Sequence, residues 1–178
     1  MKKTALKAAQ GFTLVELLVV IAIIAILAAV VVLIINPLEL TRRGRDSTRL
    51  ADLQNLQQAI NIAVQEATTS GANIACNGLA ATCVDRSHQG TRVTDGTGWV
   101  RVNLGVQTSV SVPTLPVDPS NNATNHYVYC GSGDNWEIVT DLESAKLQPN
   151  RTTDGGSDPL KYEVGSVLNL FGAGSCTY

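Results

Sequence analysis

The chain has 178 residues, with 13 Lys and Arg against 15 Asp and Glu, a net charge of −2 and 44% hydrophobic residues. That length suits one domain plus an anchor. The balance becomes −5 once Lys2, Lys3 and Lys7 of the leader are set aside, so no global attraction draws the chain to nucleic acid. Neither His88 nor His126 sits in a catalytic motif, and no Gly-x-Ser-x-Gly or phosphate-cradling loop occurs, which argues against an enzyme.

Much of the apolar content lies in the first 35 residues. A lysine-bearing leader runs to Gly11-Phe12, Glu16 follows, and no polar side chain occurs from Leu17 to Ile35. As a helix that run is roughly 28 Å long, the thickness of a bilayer's hydrocarbon core. A cleavable secretory signal would have a shorter apolar core and a small-residue exit, whereas this run ends in Ile34-Ile35-Asn36-Pro37. An ordinary signal anchor accounts for the length but assigns nothing to Gly11, Phe12 or Glu16. A charge at that position within lipid would cost on the order of 2.5–3.5 kcal/mol, so Glu16 calls for a partner. Lys2, Lys3 and Lys7 on one flank and Arg42, Arg43, Arg45 and Arg49 on the other leave the positive-inside count ambiguous. All four cysteines (Cys76, Cys83, Cys130, Cys176) follow the apolar run, read as two disulfides, and place the C-terminal part on the oxidising side. No pair has the spacing of a zinc knuckle.

The leader, Gly11-Phe12-Thr13-Leu14-Val15-Glu16 and the apolar helix together resemble the type IV pilin and type II secretion pseudopilin class. The likeness is close over about the first 36 residues and loose over the next 30. It implies cleavage between Gly11 and Phe12 by a prepilin peptidase, N-methylation of Phe12, and a filament in which Glu16 pairs with the Phe12 ammonium of a neighbouring copy. It also implies an assembly ATPase, an inner-membrane platform protein, and residence in the inner membrane before assembly. Residues 1–11 are then a leader, 12–36 a transmembrane and filament-core helix, 37–70 its amphipathic continuation and 71–178 a β-rich head. The implied class is α+β, a long helix packed on a small antiparallel sheet stapled by disulfides.

Asn36-Pro37 predicts a kink or local melting, since proline lacks a donor and restricts the residue before it. Leu50, Leu53, Leu56, Ile60, Val64 and Ala67 recur at three- and four-residue spacing, one apolar helical face ending at Ser70-Gly71. From Phe12 to Thr69 this predicts one helix, bent at most, of roughly 85 Å. The arginines 42, 43, 45 and 49 interleave with Glu39, Asp46 and Asp52, which predicts intrahelical and intersubunit ion pairs; lipid phosphates or DNA are the alternative partners.

In the head, residues 71–98 read as a loop region with Cys76 and Cys83 bracketing Asn77-Gly78. Trp99–Leu104 alternates like a strand, Val106–Val112 more weakly, and the Pro-x-x-Pro-x-Asp-Pro stretch at 113–119 cannot lie inside a sheet. His126–Cys130 and Trp136–Thr140 read as a hairpin about a turn at Gly131–Asn135, followed by Leu142-Glu143. Asn150–Asp158 reads as a polar loop and Tyr162–Leu170 as a further strand. Cys176 is best placed to reach Cys130, though four cysteines allow three connectivities. Major pseudopilins bind calcium through an acidic C-terminal loop, which makes Asp154 and Asp158 candidates; no bidentate Glu closes that loop, and a solvated loop is the plainer reading. Within the filament class, a surface pilus (adhesive or motile), a secretion pseudopilus and a DNA-uptake pilus stay open. The rival from another class is a signal-anchored binding module that never polymerises.

Overall fold

The computed structural model describes residues 11–67, 73–78, 80–105, 109, 112–172 and 175–178. Two α-helices open the chain, α1 (Leu14–Ile35) and α2 (Pro37–Glu66). A four-stranded sheet follows: β1 (Thr82–Arg86), β2 (Val128–Ser132), β3 (Asn135–Thr140) and β4 (Tyr162–Gly165). The strands lie in chain order and every neighbouring pair is antiparallel. The fold is α+β, with two disulfides, Cys76–Cys83 and Cys130–Cys176.

The break between the helices is one residue wide. Asn36 adopts a left-handed conformation (φ 45°), which asparagine tolerates better than most residues. Its side-chain oxygen accepts a hydrogen bond from the Glu39 N–H at 3.3 Å, and Pro37 takes the first helical position, where no backbone donor is needed. The single continuous helix expected from Phe12 to Thr69 is therefore two, divided at Asn36. The expected stop at Ser70-Gly71 lies outside the described residues.

The buried face of α2 is Asp46, Arg49, Leu53, Leu56, Ala59, Ile60 and Ala63. Leu50, predicted on that stripe, is only partly buried, because the real face begins with two charged residues. Leu53, Leu56 and Ile60 are fully buried among Trp99, Leu115, Tyr127, Tyr129, Trp136 and Ile138. Burial of each such aliphatic side chain contributes roughly 1.5–3 kcal/mol. The opposite face of the sheet carries Val128, Cys130 and Val139, covered by Leu170, Phe171 and Cys176. Alternation along β2 and β3 sends successive side chains to these two cores.

Four predictions about the head need correction. Trp99–Leu104 forms no strand: Trp99, Val100, Val102 and Leu104 are buried, but the segment folds back on its own approach through the Trp99 N–H to Thr91 and Leu104 N–H to Thr94 bonds. Gly98 permits this, since a Cβ there would lie 2.1 Å from the Val93 carbonyl oxygen. Alternation thus reflected burial of a looped segment, not a ladder. The loop region at 71–98 contains β1, which pairs with β2 from Thr82↔Ser132 to Arg86↔Val128. The hairpin turn is two residues rather than five: Ser132 pairs with Asn135, and Gly133 takes φ +61° between them, as tight hairpins require at their first central residue. β4 ends at Gly165, short of Leu170. The weaker strand expected at Val106–Val112 falls mostly outside the described residues.

The second core encloses an acidic pair. Glu137 of β3 and Glu163 of β4 are both almost fully buried, and Glu137 opposes Gly165, which places the two carboxyls diagonally on one face. Glu137 Oε2 accepts the Leu170 and Phe171 N–H groups at 2.7 and 3.3 Å, and Glu163 Oε2 accepts that of Asp158 at 3.3 Å. Burial raises both pKa values, and hydrogen bonding and repulsion from Glu137 take Glu163 to about 7. The native state therefore keeps a proton that the unfolded chain releases near 4.5. The associated stabilisation is complete below that value and is lost as pH rises through about 7. Thermal unfolding of the full chain in detergent, followed by tryptophan fluorescence, is expected to show a midpoint that falls across this window. Glu163→Gln removes most of that fall, and an unchanged slope in the variant would exclude the pair as its cause.

Candidate functional site

The N-terminal segment supplies the first candidate. Thr13 caps α1: its Oγ1 accepts the Glu16 N–H at 3.2 Å, while Glu16 Oε2 accepts the Thr13 N–H at 2.8 Å and its hydroxyl at 2.7 Å. This reciprocal capping box satisfies donors that a helix start leaves orphaned. The sequence carries the signal for this box, Thr-x-x-Glu ahead of an apolar run, which the expectation of a partner from another copy leaves out. Glu16 therefore has a local partner in the single chain.

Phe12 is 89% exposed, and the large apolar side chains described along α1 are exposed all round, from Leu14 at 79% to Ile34 at 76%. Residues Leu14–Val32 are long and apolar enough to cross a membrane, and none of that span is buried within the protein. Among the described residues nothing lies within 4 Å of where a Cβ on Gly11 would sit, so their packing does not require a glycine there.

A second cluster sits where α2 meets the head. Arg49 is fully buried and forks onto Asp118, Nε to Oδ2 at 2.6 Å and Nη2 to Oδ1 at 2.9 Å. Its Nη1 donates to Asp46 Oδ1 at 2.7 Å, and Glu143 Oε1 lies 2.7 Å from Nη2. Arg45 engages both oxygens of Glu143. The acids are further satisfied by backbone: Asp46 accepts the Ser144 N–H at 2.7 Å and that of Glu143 at 3.1 Å, and Asp118 accepts the Ser120 N–H at 2.7 Å. Hydrogen bonds from Arg45 hold Glu143 down to about 2. Burial works against the Arg49 charge, yet Asp118 and the other acids hold its pKa above the ordinary value. Of the arginines read as a membrane-proximal patch, Arg45 and Arg49 are thus turned into the head. Arg49–Asp46 is the predicted intrahelical pair, but Asp118 and Glu143, 69 and 94 residues beyond Arg49, were not foreseen as partners.

The remaining predicted residues are dispersed. Cys76 and Cys83 tie the 3-10 turn Ile74–Cys76 to β1, while Cys130 and Cys176 tie the tail to β2. Asp154 accepts the Gly156 and Glu163 N–H groups at 2.9 Å each, and Asp158 accepts from Leu160 N and the Tyr178 hydroxyl at 2.8 and 2.6 Å. Among the described residues, no three His, Cys, Asp or Glu side chains are grouped to hold a metal ion.

Replacing Arg49 by Met leaves Asp46 and Asp118 buried without their cation. The expected loss is on the order of 3–5 kcal/mol, read as a lower urea midpoint by tryptophan fluorescence. A midpoint within error of the parent would show that the cluster does not hold the helix to the head.

Residues 6–32 match the model of the prokaryotic N-terminal methylation motif. No curated protein and no solved structure matches the chain. Proteins built on this motif are structural subunits rather than enzymes, made as membrane-anchored precursors, processed by a prepilin peptidase and assembled into filaments. On a membrane-length helix followed by a disulfide-bonded α+β head, this chain carries the N-terminal signature of type IV pilins and pseudopilins.

Proposed function

We propose that the chain is a structural subunit of a type IV pilus-like filament, cleaved after Gly11, N-methylated on Phe12 and polymerised through its N-terminal helices. The observation that carries this reading is the placement of Gly11-Phe12 and Glu16 at the mouth of a helix whose apolar surface is exposed all round. Such a surface needs lipid before assembly and neighbouring helices after it. Residues 1–11 are the discarded leader, 12–36 the filament core, 37–70 the stem and 71–178 the head.

Several features support the individual steps. Gly11 meets no steric demand from the described residues, and a peptidase cleft that needs an extended backbone without a Cβ accounts for the residue. Cleavage creates an ammonium on Phe12, four positions from Glu16. In the precursor Glu16 is held by Thr13. In the filament a charged amine from a neighbouring copy offers a stronger, charge-assisted bond in a low-dielectric setting. Only one axial stagger brings the two charges together. Because the helix is as apolar as lipid, little drives it from the bilayer, and an assembly ATPase acting through a platform protein supplies the work.

Mass spectrometry of the mature chain is expected to find Phe12 at its start, carrying one extra methyl group. A chain that retains Met1 in cells with an active prepilin peptidase would sink the proposal. Gly11→Val is expected to leave the head folded and the leader attached. Glu16→Ala is expected to be processed normally but to lose ordered assembly, as seen by electron microscopy of sheared filaments; a signal-anchored monomer would be indifferent to that change.

A further inference from the structure

A groove of about 440 Å³ opens in the head, lined by neither the N-terminal motif nor the Arg49 cluster. Its charged and titratable lining comes from separate elements: Arg86 at the end of β1, His88 just after it, His126 before β2, Asp141 after β3, Lys161 before β4, and Tyr178 from the tail. The floor includes Val128 and Val139, with the polar groups of Gln89, Thr124 and Thr140 around it. We propose that this groove is a binding site for a phosphate- or sulfate-type oxyanion carried on a small, sugar-sized body.

The charges favour an anion. Among the described lining residues Asp141 has the one side-chain carboxylate, and Lys161 Nζ holds it at 2.6 Å. Arg86 is half-buried with no carboxylate paired to it among the described residues, although the chain as a whole is acidic. An arginine in that state is a ready partner for a planar or tetrahedral oxyanion, which it engages through two parallel hydrogen bonds. The two imidazoles pack at a tilt of 56° with centroids 4.2 Å apart. His88 Nδ1 is buried without a hydrogen-bond partner, an uncommon state for a native polar atom. His126 Nδ1 lies 3.1 Å from the Asn122 carbonyl oxygen, which takes the proton on Nδ1 and leaves Nε2 to gain a second one.

These groups resist one another. Burial pushes the His126 pKa below its ordinary value, and His88, Arg86 and Lys161 push it the same way. A bound oxyanion reverses the sign of that local field and stabilises protonated imidazole. The groove therefore takes up a proton with its ligand, and affinity rises as pH falls. The same positive field disfavours a metal cation on the histidine pair. A bare phosphate would fill only part of the space, and Gln89, Thr124 and the edges of the imidazoles border the remainder, where an attached polar body would lie.

The test is titration of the full chain in detergent micelles with inorganic phosphate, sulfate and glucose 6-phosphate, near pH 5.5 and 7.5, following the imidazole signals by NMR. Saturable shifts at His88 and His126 are expected, and for sulfate, whose own charge is the same at both pH values, binding up to about tenfold tighter at the lower pH, the effect of one unit of pKa change on binding. Arg86→Gln is expected to weaken binding at least tenfold, and His126→Gln to flatten the pH dependence. Tighter binding of the sugar phosphate assigns the ligand to the organic class; equal binding assigns it to the free ion. No saturable shift with any of the three, or binding untouched by Arg86→Gln in a variant with parental tryptophan fluorescence, would overturn the site.

Discussion

The guanidinium of Arg49 is the constraint on which the docking of α2 depends. A buried charge is tolerated only where every lone pair and donor around it is answered, and here Asp46, Asp118 and Glu143 answer it from three chain segments. The apolar stripe of Leu53, Leu56, Ile60 and Ala63 supplies most of the burial, but a stripe of aliphatic side chains can slide by a turn and still be buried. The ion cluster cannot slide. It closes in a single register, and in closing it also orders two loops, because Asp118 anchors the turn at Ser120 and Asp46 caps the N–H groups of Glu143 and Ser144. Its contribution is therefore to uniqueness of packing more than to net stability.

The helix α1 poses the opposite problem. Its side chains are apolar on every side, so nothing along Leu17–Ile35 distinguishes one rotation or stagger from another. All the positional information lies at its mouth, in Thr13 and Glu16. In the proposed filament, the capping box has a use before assembly: it keeps the Glu16 carboxylate hydrogen-bonded while no neighbour is present, which lowers the cost of waiting in the bilayer. Exchange of the Thr13 donors for an ammonium then requires no new charge to be buried alone. The two helices thus solve register by the same device, a carboxylate–cation pair, one within the head and one proposed between copies.

The class of the fold and the N-terminal signature were legible because they rest on long apolar periodicity and a compact motif. The hairpin was legible from alternation around Gly133, though not its tightness, since pairing extends into residues of turn-like composition such as Gly131 and Ser132. β1 was hidden because Thr82–Arg86 carries no strong alternation, and Trp99–Leu104 misled because a buried loop beside Gly98 shows the same pattern as a strand. The burial of Arg49 and of Glu137 was not legible, for one reason. Charged residues read as solvent-facing unless the partners are known, and those partners lie up to 94 residues away in sequence, brought together only by the finished fold.

The two faces of the sheet are held by different means, and the difference orders their strengths. The α2 face has the larger core, both tryptophans and the ion cluster. The tail face has a small apolar cluster over two carboxyls that must share a proton, which is a poor basis for stability on its own. The Cys130–Cys176 disulfide compensates. It closes a separation of 46 residues, against 7 for Cys76–Cys83, and in the chain-entropy model these constrain the unfolded state by about 4 and about 2 kcal/mol. The more strained face thus carries the stronger covalent constraint. Since such bonds persist only in oxidising surroundings, the head's stability is tied to the side of the membrane on which it folds.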